Sequence, residues 1–251
     1  MKALKALSPD GFPALFYKHY WDIVGDQLVL AVQSFFRNGW LLKDFNKTFI
    51  SLIPKKKGAH NFNHFRLIGL CNVCYKVILK IIVNRLRPLL NKMVDSIQVA
   101  FVPSRWINEH VVLAHEIVHS FKHTMKKKGY LGIKLDFQKA YNRMEWSFLM
   151  AVLRAFGFSS TFANLIHQCL SSIEFSLVLN GDQCPSFSPS RGLRQGDPIS
   201  PYLFILGSEV LLRLVNREIA HRNGNGSGLG RVFPYPDPTR GARPVARTRP
   251  V

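Results

Sequence analysis

The spacing of apolar and polar residues predicts a chain that mixes long helices with short strands. Apolar and polar residues alternate over residues 48–53 and 173–179, as they do in half-buried β-strands. Asn180-Gly181 then predicts a hairpin turn, followed by a return strand that runs to Pro189. Elsewhere apolar residues recur every three or four positions, which is the spacing of one helix face. These helical stretches cover residues 12–36, 71–90, 108–122, 146–156, 161–170 and 198–221.

A third apolar stretch, residues 132–135, ends at a single carboxylate, Asp136, and an aromatic residue, Tyr141, follows five positions later. An aspartate at the end of a buried strand costs free energy unless it faces a positive partner. A metal ion, a lysine or arginine side chain, and the N–H groups of a helix all meet that requirement. The stretch therefore predicts a strand and a tight turn around Asp136, with the identity of the partner left open.

The most distinctive string is RGLRQGDPISPYLF, residues 191–204. Its glycines let the backbone approach a ligand closely, and Arg194 adds positive charge. A long helix is predicted to begin at Pro198 or Pro201, and a helix N-terminus favours phosphate groups. We interpret Asp197 as a cap of that helix rather than as a metal ligand. The string thus predicts a basic loop that contacts a phosphate or a base-paired strand.

A second basic loop follows the first predicted strand, where Lys55, Lys56 and Lys57 precede Gly58. A strand that leads into such a loop can place ammonium groups beside a phosphate. Three adjacent lysines alone, however, are more often a solvated surface. The role of this loop is therefore left open between the two interpretations.

The composition favours a nucleic-acid partner. The 251 residues include 47% hydrophobic residues, enough for the core of one large domain or two small ones. The formal net charge is +19, and lysine and arginine bind polyanions by neutralising phosphates and releasing counterions. An anionic membrane is the weaker alternative, and no apolar run of about 18 residues is present to span a bilayer.

The sequence also indicates the compartment in which the protein works. The first residues do not form the apolar core and cleavage site of a signal peptide. Four cysteines are too few and too scattered for a disulfide framework. We therefore expect an intracellular protein that is not secreted, with the nucleus as one of the compartments open to it.

Two short motifs have the spacing of metal sites. HEIVH, which begins at His115 and ends at His119, matches the zinc-protease pattern HExxH on a predicted helix. The usual third ligand does not follow it. Cys71 and Cys74 lie within an apolar helical pattern and lack a second pair of ligands. We expect no zinc at either motif.

Seven strings of this sequence resemble those of one enzyme family and occur in the family's order. The family is the reverse transcriptase of LINE-type (non-LTR) retrotransposons, the plant kind in particular. The resemblance covers residues 8–222. The strings are SPDGF, FISLIPKK, FRLIGLCNVCYKVILKIIVNRL, QVAFVPSRWI, GIKLDFQKAYNRMEWSFL, EFSLVLNG and SPSRGLRQGDPISPYLF.

The resemblance implies an α+β fold, the right-hand polymerase, with an incomplete antiparallel palm sheet flanked by helices. Residues 1–128 would form a fingers-like region and residues 129–222 a partial palm. Residues 223–251 are rich in glycine, proline and arginine, a composition that predicts a disordered tail.

The resemblance also implies a reaction and its partners. A primer 3′-hydroxyl would attack the α-phosphate of a deoxynucleotide, directed by an RNA template. Two Mg²⁺ ions would stabilise the attacking and leaving oxygens. The implied partners are therefore an RNA template, a DNA primer and deoxynucleoside triphosphates, and no membrane.

The same resemblance assigns roles to individual residues. Asp136 matches the first metal-binding aspartate and would be catalytic. Phe137 would place its backbone at the same metal and the triphosphate, and Tyr141 would exclude a 2′-hydroxyl group. The other predicted substrate contacts are two basic residues of the fingers and three residues of the glycine-rich loop: Lys55, Arg66, Arg194, Gln195 and Gly196.

The sequence departs from the family pattern in places. The family has an apolar hairpin with two adjacent aspartates, and no two aspartates are adjacent in this sequence. Two magnesium ions carry four positive charges, which Asp136 alone does not balance. Asn142 stands where a second aspartate is usual, and Leu67 and Gly69 stand in FRLIGL where FRPISL is usual. These departures predict a C-terminally truncated domain that is inactive alone, with a non-catalytic nucleic-acid-binding remnant as the alternative.

Overall fold

The computed structural model describes residues 8–123 and 135–224. Most of the described chain is helical, as the apolar spacing predicts. None of the described helices is both long and apolar enough to cross a membrane. The helices are α1 (Ala14–His19), α2 (Trp21–Asn38), α3 (Val73–Leu86), α4 (Leu90–Met93), α5 (Ile107–His123), α6 (Trp146–Ala155), α7 (Ser160–Ser171) and α8 (Ser200–Gly224).

Four strands form one small sheet in the order β2-β1-β3-β4. They are β1 (Lys47–Pro54), β2 (Phe65–Cys71), β3 (Glu174–Leu179) and β4 (Asp182–Gln183). β1 pairs antiparallel with β2 and parallel with β3, and β3 pairs antiparallel with β4. The sheet is therefore mixed, whereas the resemblance predicted an antiparallel sheet. The connection from β1 to β3 runs from residue 55 to residue 173 and includes helices α3 to α7. Parallel strands need a long crossover of this kind, because a tight turn can join only antiparallel strands.

The hydrophobic core is built around α3. Its buried residues recur at helical spacing, which places Ile78, Leu79 and Ile82 on the face that packs inward. Helices α2, α6, α7 and α8 contribute apolar residues to the same core. The buried residues of these four helices include Leu28, Val32, Phe35, Leu149, Leu153, Ile166, Leu170, Leu203 and Leu206.

The hairpin predicted at Asn180-Gly181 is present between β3 and β4. Both turn residues have positive φ angles, 53° and 96°, as a tight two-residue hairpin turn requires. The return strand is shorter than expected and consists of β4 and one further bridge, between Phe175 and Phe187. The structure therefore confirms the turn but not a long return strand.

Two predictions fall largely outside the described residues. The strand expected to end at Asp136 includes residues 132–134, which are not described, and residues 135–137 form no strand. The tail predicted to be disordered also lies outside the described ranges from residue 225 onward. α8 extends to Gly224 and so includes the first two residues of the predicted tail.

Candidate functional site

The turn that carries Asp136 lies on the surface. Asp136 and Phe137 are exposed and precede a turn in which Lys139 has a φ angle of 53°. A short 3₁₀ helix, Tyr141–Arg143, follows. Among the described residues, none forms a hydrogen bond or an ion pair with the carboxylate of Asp136.

The glycine-rich loop, residues 191–198 of the RGLRQGDPISPYLF string, holds this turn in place through three hydrogen bonds. The backbone N–H of Leu193 donates to the Tyr141 carbonyl, and that of Gly192 donates to the Met144 carbonyl, both at 2.8 Å. The Trp146 indole N–H donates to the Gly192 carbonyl, also at 2.8 Å. Two segments that lie about 50 residues apart in sequence are thus joined side by side.

Only glycine suits position 192 in this contact. Its φ angle is 95°, in the left-handed region that side chains disfavour. A Cβ atom there would also lie 3.0 Å from the carbonyl oxygen of Asn142. The first glycine of RGLRQG therefore permits the close approach of the two loops.

Tyr141 is anchored by the start of α8. Its ring stacks on Phe204, with centroids 5.0 Å apart and planes 16° from parallel. Tyr141 is half-buried, and this burial raises the pKa of its hydroxyl. The stacked pair fixes the ring at a defined position on the same turn as Asp136.

An open groove of about 510 Å³ lies between the Asp136 turn and α8. Its lining is mixed, with apolar rings, one arginine and two carboxylates. The lining residues are Asp136, Phe137, Gln138, Ala140, Arg143, Met144, Glu145, Phe148, Phe204, Gly207, Ser208 and Leu211. A solvent-accessible carboxylate beside aromatic and apolar side chains suits a ligand that carries both charge and a flat ring.

The described residues fit one metal-binding carboxylate and not a pair of metal ions. Glu145 is the second carboxylate of the groove, but its Oε1 accepts a hydrogen bond from Arg191 Nη1 at 3.0 Å. In the described ranges no group of three His, Cys, Asp or Glu side chains is arranged to hold a metal ion. The two Mg²⁺ ions implied by the resemblance therefore do not fit the side chains described here.

The second half of the glycine-rich loop docks on the free edge of β2. The Gly69 N–H donates to the Gln195 carbonyl at 2.8 Å. Gly196 has a φ angle of 95°, and a Cβ atom there would lie 3.1 Å from the Gly69 carbonyl oxygen. The predicted contact residues Gln195 and Gly196 thus lie on the sheet edge, half-buried and exposed respectively.

Arg194 lies inside the protein and not on the groove. The residue is only 4% exposed, and its guanidinium carbon lies 4.7 Å above the Tyr75 ring. Its Nη2 donates to Asn46 Oδ1, and its Nε lies 3.8 Å from Asp197 Oδ2. The sequence predicted a substrate contact for Arg194, and this burial contradicts a direct contact. The reason is the apolar and aromatic wall formed by β3 and α3, which covers the side chain.

Asp197 is the buried partner of Arg194. Its Oδ1 accepts a hydrogen bond from the Ile199 N–H, immediately before α8, and its Oδ2 accepts one from the Tyr75 hydroxyl, both at 3.2 Å. Burial raises the pKa of Asp197, and the nearby Arg194 charge opposes this shift only in part. Because Ile199 precedes α8, this contact closes a turn ahead of the helix, and the capping role of Asp197 stays a prediction.

The two predicted basic contacts of the fingers lie on the β1–β2 hairpin. Arg66 is exposed and sits opposite Ile53 in the register of the two strands. Lys55 is exposed and donates from its Nζ to the Asn63 carbonyl at 2.9 Å. No hydrogen bond or ion pair links either residue to the described residues of the groove. The structure therefore groups these residues with the hairpin and not with Asp136.

The two histidines and the glutamate of the HEIVH motif are exposed on α5. The rings of His119 and His123 pack against each other, with centroids 4.2 Å apart. Glu116 and His115 are exposed on the same helix. α5 has no buried residue, so the motif lies on a surface helix.

A comparison with known protein families identifies the domain. Residues 53–228 match the family model described as reverse transcriptase (RNA-dependent DNA polymerase). The chain belongs to the reverse transcriptase family. The matched span includes β2, the Asp136 turn and the glycine-rich loop, which agrees with the right-hand polymerase predicted from the sequence.

Curated relatives of this reverse transcriptase domain include proteins of transposable elements. It is 28% identical over 210 residues to the transposon TX1 uncharacterized 149 kDa protein of Xenopus laevis. It is 30% identical over 174 residues to the Pol polyprotein of the type-2 retrotransposable element R2DM of Drosophila melanogaster. These matches cover 84% and 69% of this chain but only 16% of each relative. A 40-residue stretch is 60% identical to an uncharacterized mitochondrial protein of Arabidopsis thaliana.

Sequence reasoning missed the residues that anchor the glycine-rich loop of this reverse transcriptase domain. Asn46 and Tyr75 contact Arg194 and Asp197 across more than 100 residues of sequence. Asn46 belongs to no recognisable motif, and in the sequence Tyr75 looks like one more apolar residue of the helix α3. The signal that was present is the RxxD spacing of Arg194 and Asp197, which allows an ion pair within one turn of chain.

Proposed function

We propose that this domain acts as the fingers and partial palm of an RNA-directed DNA polymerase from a non-LTR retrotransposon. It would add a deoxynucleotide to a primer 3′-hydroxyl on an RNA template. The observation that carries the proposal is the joining of the Asp136 turn to the glycine-rich loop beside a groove of about 510 Å³. The family match and the two transposable-element relatives support it.

In this proposal each loop has a separate task. Asp136 offers a charged oxygen in the groove, and the backbone of Phe137 lies beside it. The Tyr141 ring, held by Phe204, limits the space next to the sugar of the incoming nucleotide. Gln195 and Gly196 form a backbone surface on the β2 edge where a base pair can rest. Arg194 holds this surface from behind and is a positioning residue.

The residues of this sequence do not by themselves complete a two-metal site. Asp136 has no neighbouring aspartate, and Glu145 is engaged with Arg191. We therefore propose that this chain alone binds RNA and extends a primer below the level of detection. A non-catalytic nucleic-acid binder is the second candidate function, and the net charge of +19 favours it.

Primer extension on an RNA template tests the catalytic proposal. The assay compares the wild type with Asp136→Ala, and Asp182→Ala serves as the matched control because Asp182 is an exposed aspartate on β4. We expect no extension from any of the three and unchanged RNA binding. Extension that Asp136→Ala abolishes and Asp182→Ala keeps would show that other carboxylates complete the site, and the non-catalytic candidate would then be wrong.

RNA binding at graded salt tests the polyanion-binding part of the proposal. Charge reversal at an exposed position of the hairpin, Arg66→Glu, should weaken binding of RNA and flatten its dependence on salt. The matched control is Lys18→Glu, a reversal at an exposed residue of α1. Equal effects of the two reversals would mean that binding depends only on net charge and not on the hairpin.

The setting of the domain is also a proposal. We propose that the element is of the plant kind, which the 40-residue match to the Arabidopsis thaliana protein supports. The domain would work inside the cell, the nucleus included, where RNA templates and deoxynucleotides are available. Detection of the protein in nuclear and cytosolic fractions with an antibody would test this placement.

A further inference from the structure

The loop between β1 and β2 is an ordered structure and not a loose connection. We call residues 55–64 the tip loop. The Lys55 N–H donates to the His64 carbonyl at 2.8 Å, which continues the strand pairing beyond Pro54. The Asn61 side chain accepts from the Asn63 N–H at 3.0 Å, and the His64 N–H donates to the Asn61 carbonyl at 2.8 Å. These bonds close a short 3₁₀ turn, Phe62–His64.

The side chain of Lys55 helps to fix the conformation of the tip loop. Its Nζ donates to the carbonyl of Asn63 at 2.9 Å, inside the 3₁₀ turn. The rings of His60 and His64 meet edge to face, 5.3 Å apart. Lys55 therefore ties the loop together, and its ammonium group is already used in part by the protein itself.

The loop presents a phenyl ring to solvent. Phe62 is 78% exposed, the highest value among the large hydrophobic residues described. The hydrogen bonds on either side of it fix the backbone, so the exposure does not come from an unstructured chain. A fully exposed phenylalanine forgoes about 2–3 kcal/mol of burial free energy. A single exposed ring is common in proteins, and its meaning depends on the charges around it.

The sequence around Phe62 carries one sign of charge. From residue 45 to residue 94 the chain has ten lysines and arginines and no aspartate or glutamate. Lys56, Lys57 and Arg66 are exposed, and none of them forms an ion pair with a described residue. A surface of unpaired cations around one aromatic ring is the arrangement that proteins use to bind single-stranded nucleic acid.

We propose that the tip loop is a binding site for single-stranded RNA, in which Phe62 stacks on an unpaired base while Lys56, Lys57 and Arg66 contact the flanking phosphates. The identity of the polyanion as RNA rests on the proposed function. A base within a duplex is stacked on both faces and offers no surface to the ring, so the site prefers single strands. A single phenyl ring would insert only a small apolar surface into a lipid bilayer, so a membrane is the weaker alternative to RNA.

The test measures the binding of an end-labelled oligouridine dodecamer and of an RNA duplex of the same length by fluorescence anisotropy. Phe62→Leu keeps the apolar character but removes the aromatic face. We expect it to weaken binding of the dodecamer roughly 5- to 150-fold at fixed salt, with duplex binding changed less than about twofold. Phe62→Trp should bind the dodecamer as well as the wild type.

Two controls separate stacking from charge and from general surface effects. Trp40→Leu removes another aromatic side chain that is 61% exposed, and it should leave RNA binding unchanged. The double variant Lys56→Gln and Lys57→Gln should lower the slope of log K against log salt by about 1.4, or 0.7 for each phosphate contact. Phe62→Leu should keep the wild-type slope, since it removes no charge.

Three results would overturn the inference. The first is binding of the dodecamer by Phe62→Leu within twofold of the wild type, and the second is an equal loss on the duplex. The third is loss of binding to phosphatidylserine vesicles by Phe62→Leu with RNA binding retained, which would assign the loop to membranes. Binding of the dodecamer that does not depend on Phe62 would overturn this inference and leave the proposed function standing, whereas no RNA binding by the wild type would count against the proposed function itself. Circular dichroism of each variant confirms that it is folded.

Discussion

Asp136 and Asp197 stand in the two loops that meet at the groove, yet the structure places them in opposite environments. Asp136 is exposed and has no partner among the described residues. Asp197 is buried, and it contacts Arg194, Tyr75 and the start of α8. The difference separates the carboxylate that is available to a ligand from the carboxylate that holds the scaffold.

The largest expected effect lies on the buried side of this comparison. Arg194→Met removes the positive charge and leaves the Asp197 carboxylate buried without a counter-charge. Loss of one partner of a buried pair costs about 3–5 kcal/mol. We expect a loss of that size in the free energy of unfolding, measured by urea titration at pH 7.

The control for Arg194→Met uses the other arginine of the loop. Arg191 forms an ion pair with Glu145 at 3.0 Å, and both side chains are more than half exposed. Exposed pairs of this kind contribute about 1 kcal/mol or less, so Arg191→Met should be nearly neutral. Equal destabilisation by the two variants would contradict the structural role of Arg194.

A smaller effect is expected at Gly69, on the sheet edge that the loop covers. A Cβ atom there would lie 2.8 Å from both Cγ and Cδ of Arg194. Because these atoms are fixed between Tyr75 and Asp197, Gly69→Ala should cost about 1–3 kcal/mol in unfolding free energy. In an Arg194→Ala background the cost should largely disappear, which a double-mutant cycle by urea unfolding measures.

The matched control for Gly69→Ala is Gly207→Ala on α8. A Cβ atom at Gly207 would meet the flexible end of Met144 at 3.1 Å, and alanine is the better helix former. We therefore expect no loss of stability. A large cost at Gly207 and none at Gly69 would show that the close packing lies elsewhere.

The same geometry explains one departure from the family pattern. Gly69 stands where serine is usual in the resembling string FRPISL, and a serine side chain would collide with the buried Arg194. The glycine is therefore coupled to the placement of Arg194.

The smallest expected effect is a dependence of stability on pH. Burial raises the pKa of Asp197 above its ordinary value of 3.8. Between the ordinary pKa of Asp197 in the unfolded chain and its raised pKa in the folded protein, the folded state holds a proton that the unfolded state has released. Stability therefore falls as pH rises through this window and is level above it. Urea unfolding at several pH values should show this fall in the wild type.

Substitution at each aspartate assigns this pH dependence. Asp197→Asn cannot titrate, and the fall in stability across the window should vanish. Asp136→Asn should retain the wild-type dependence and change stability by less than about 0.5 kcal/mol, since the exposed carboxylate has no partner. A loss of the pH dependence in Asp136→Asn would reverse the assignment of the two carboxylates.

Much of the fold could be predicted from local sequence. The alternation in residues 48–53 and 173–179 corresponds to β1 and β3. The helical spacing predicted α3 and α5 to α8, and most of the predicted ends lie within a few residues of the observed ones. The pairing of β1 with β3 could not be predicted, because parallel strands meet through a connection whose path leaves no local signal. The Asp136 strand stays a prediction.

Part of the candidate site could also be predicted from the sequence. Asp136, Gln195 and Gly196 were named as site residues from their motifs, and the structure places them on the surface of the two loops. Their chemical roles stay predictions. Arg194 was assigned to substrate because charge near glycines suggests a ligand, whereas burial depends on what packs above the residue.

The sequence by itself determined the family, the helix-rich composition and the basic character of the protein, because motif strings, apolar spacing and net charge are properties of the chain alone. Tertiary structure decided which charged residues are enclosed and which remain open. Arg194 is enclosed because Asn46, the ring of Tyr75 on α3 and the ring of Phe175 on β3 meet around it. Phe62 is exposed because the ten-residue tip loop extends beyond the last strand pair. Burial depends on packing between distant segments, and no local pattern encodes it.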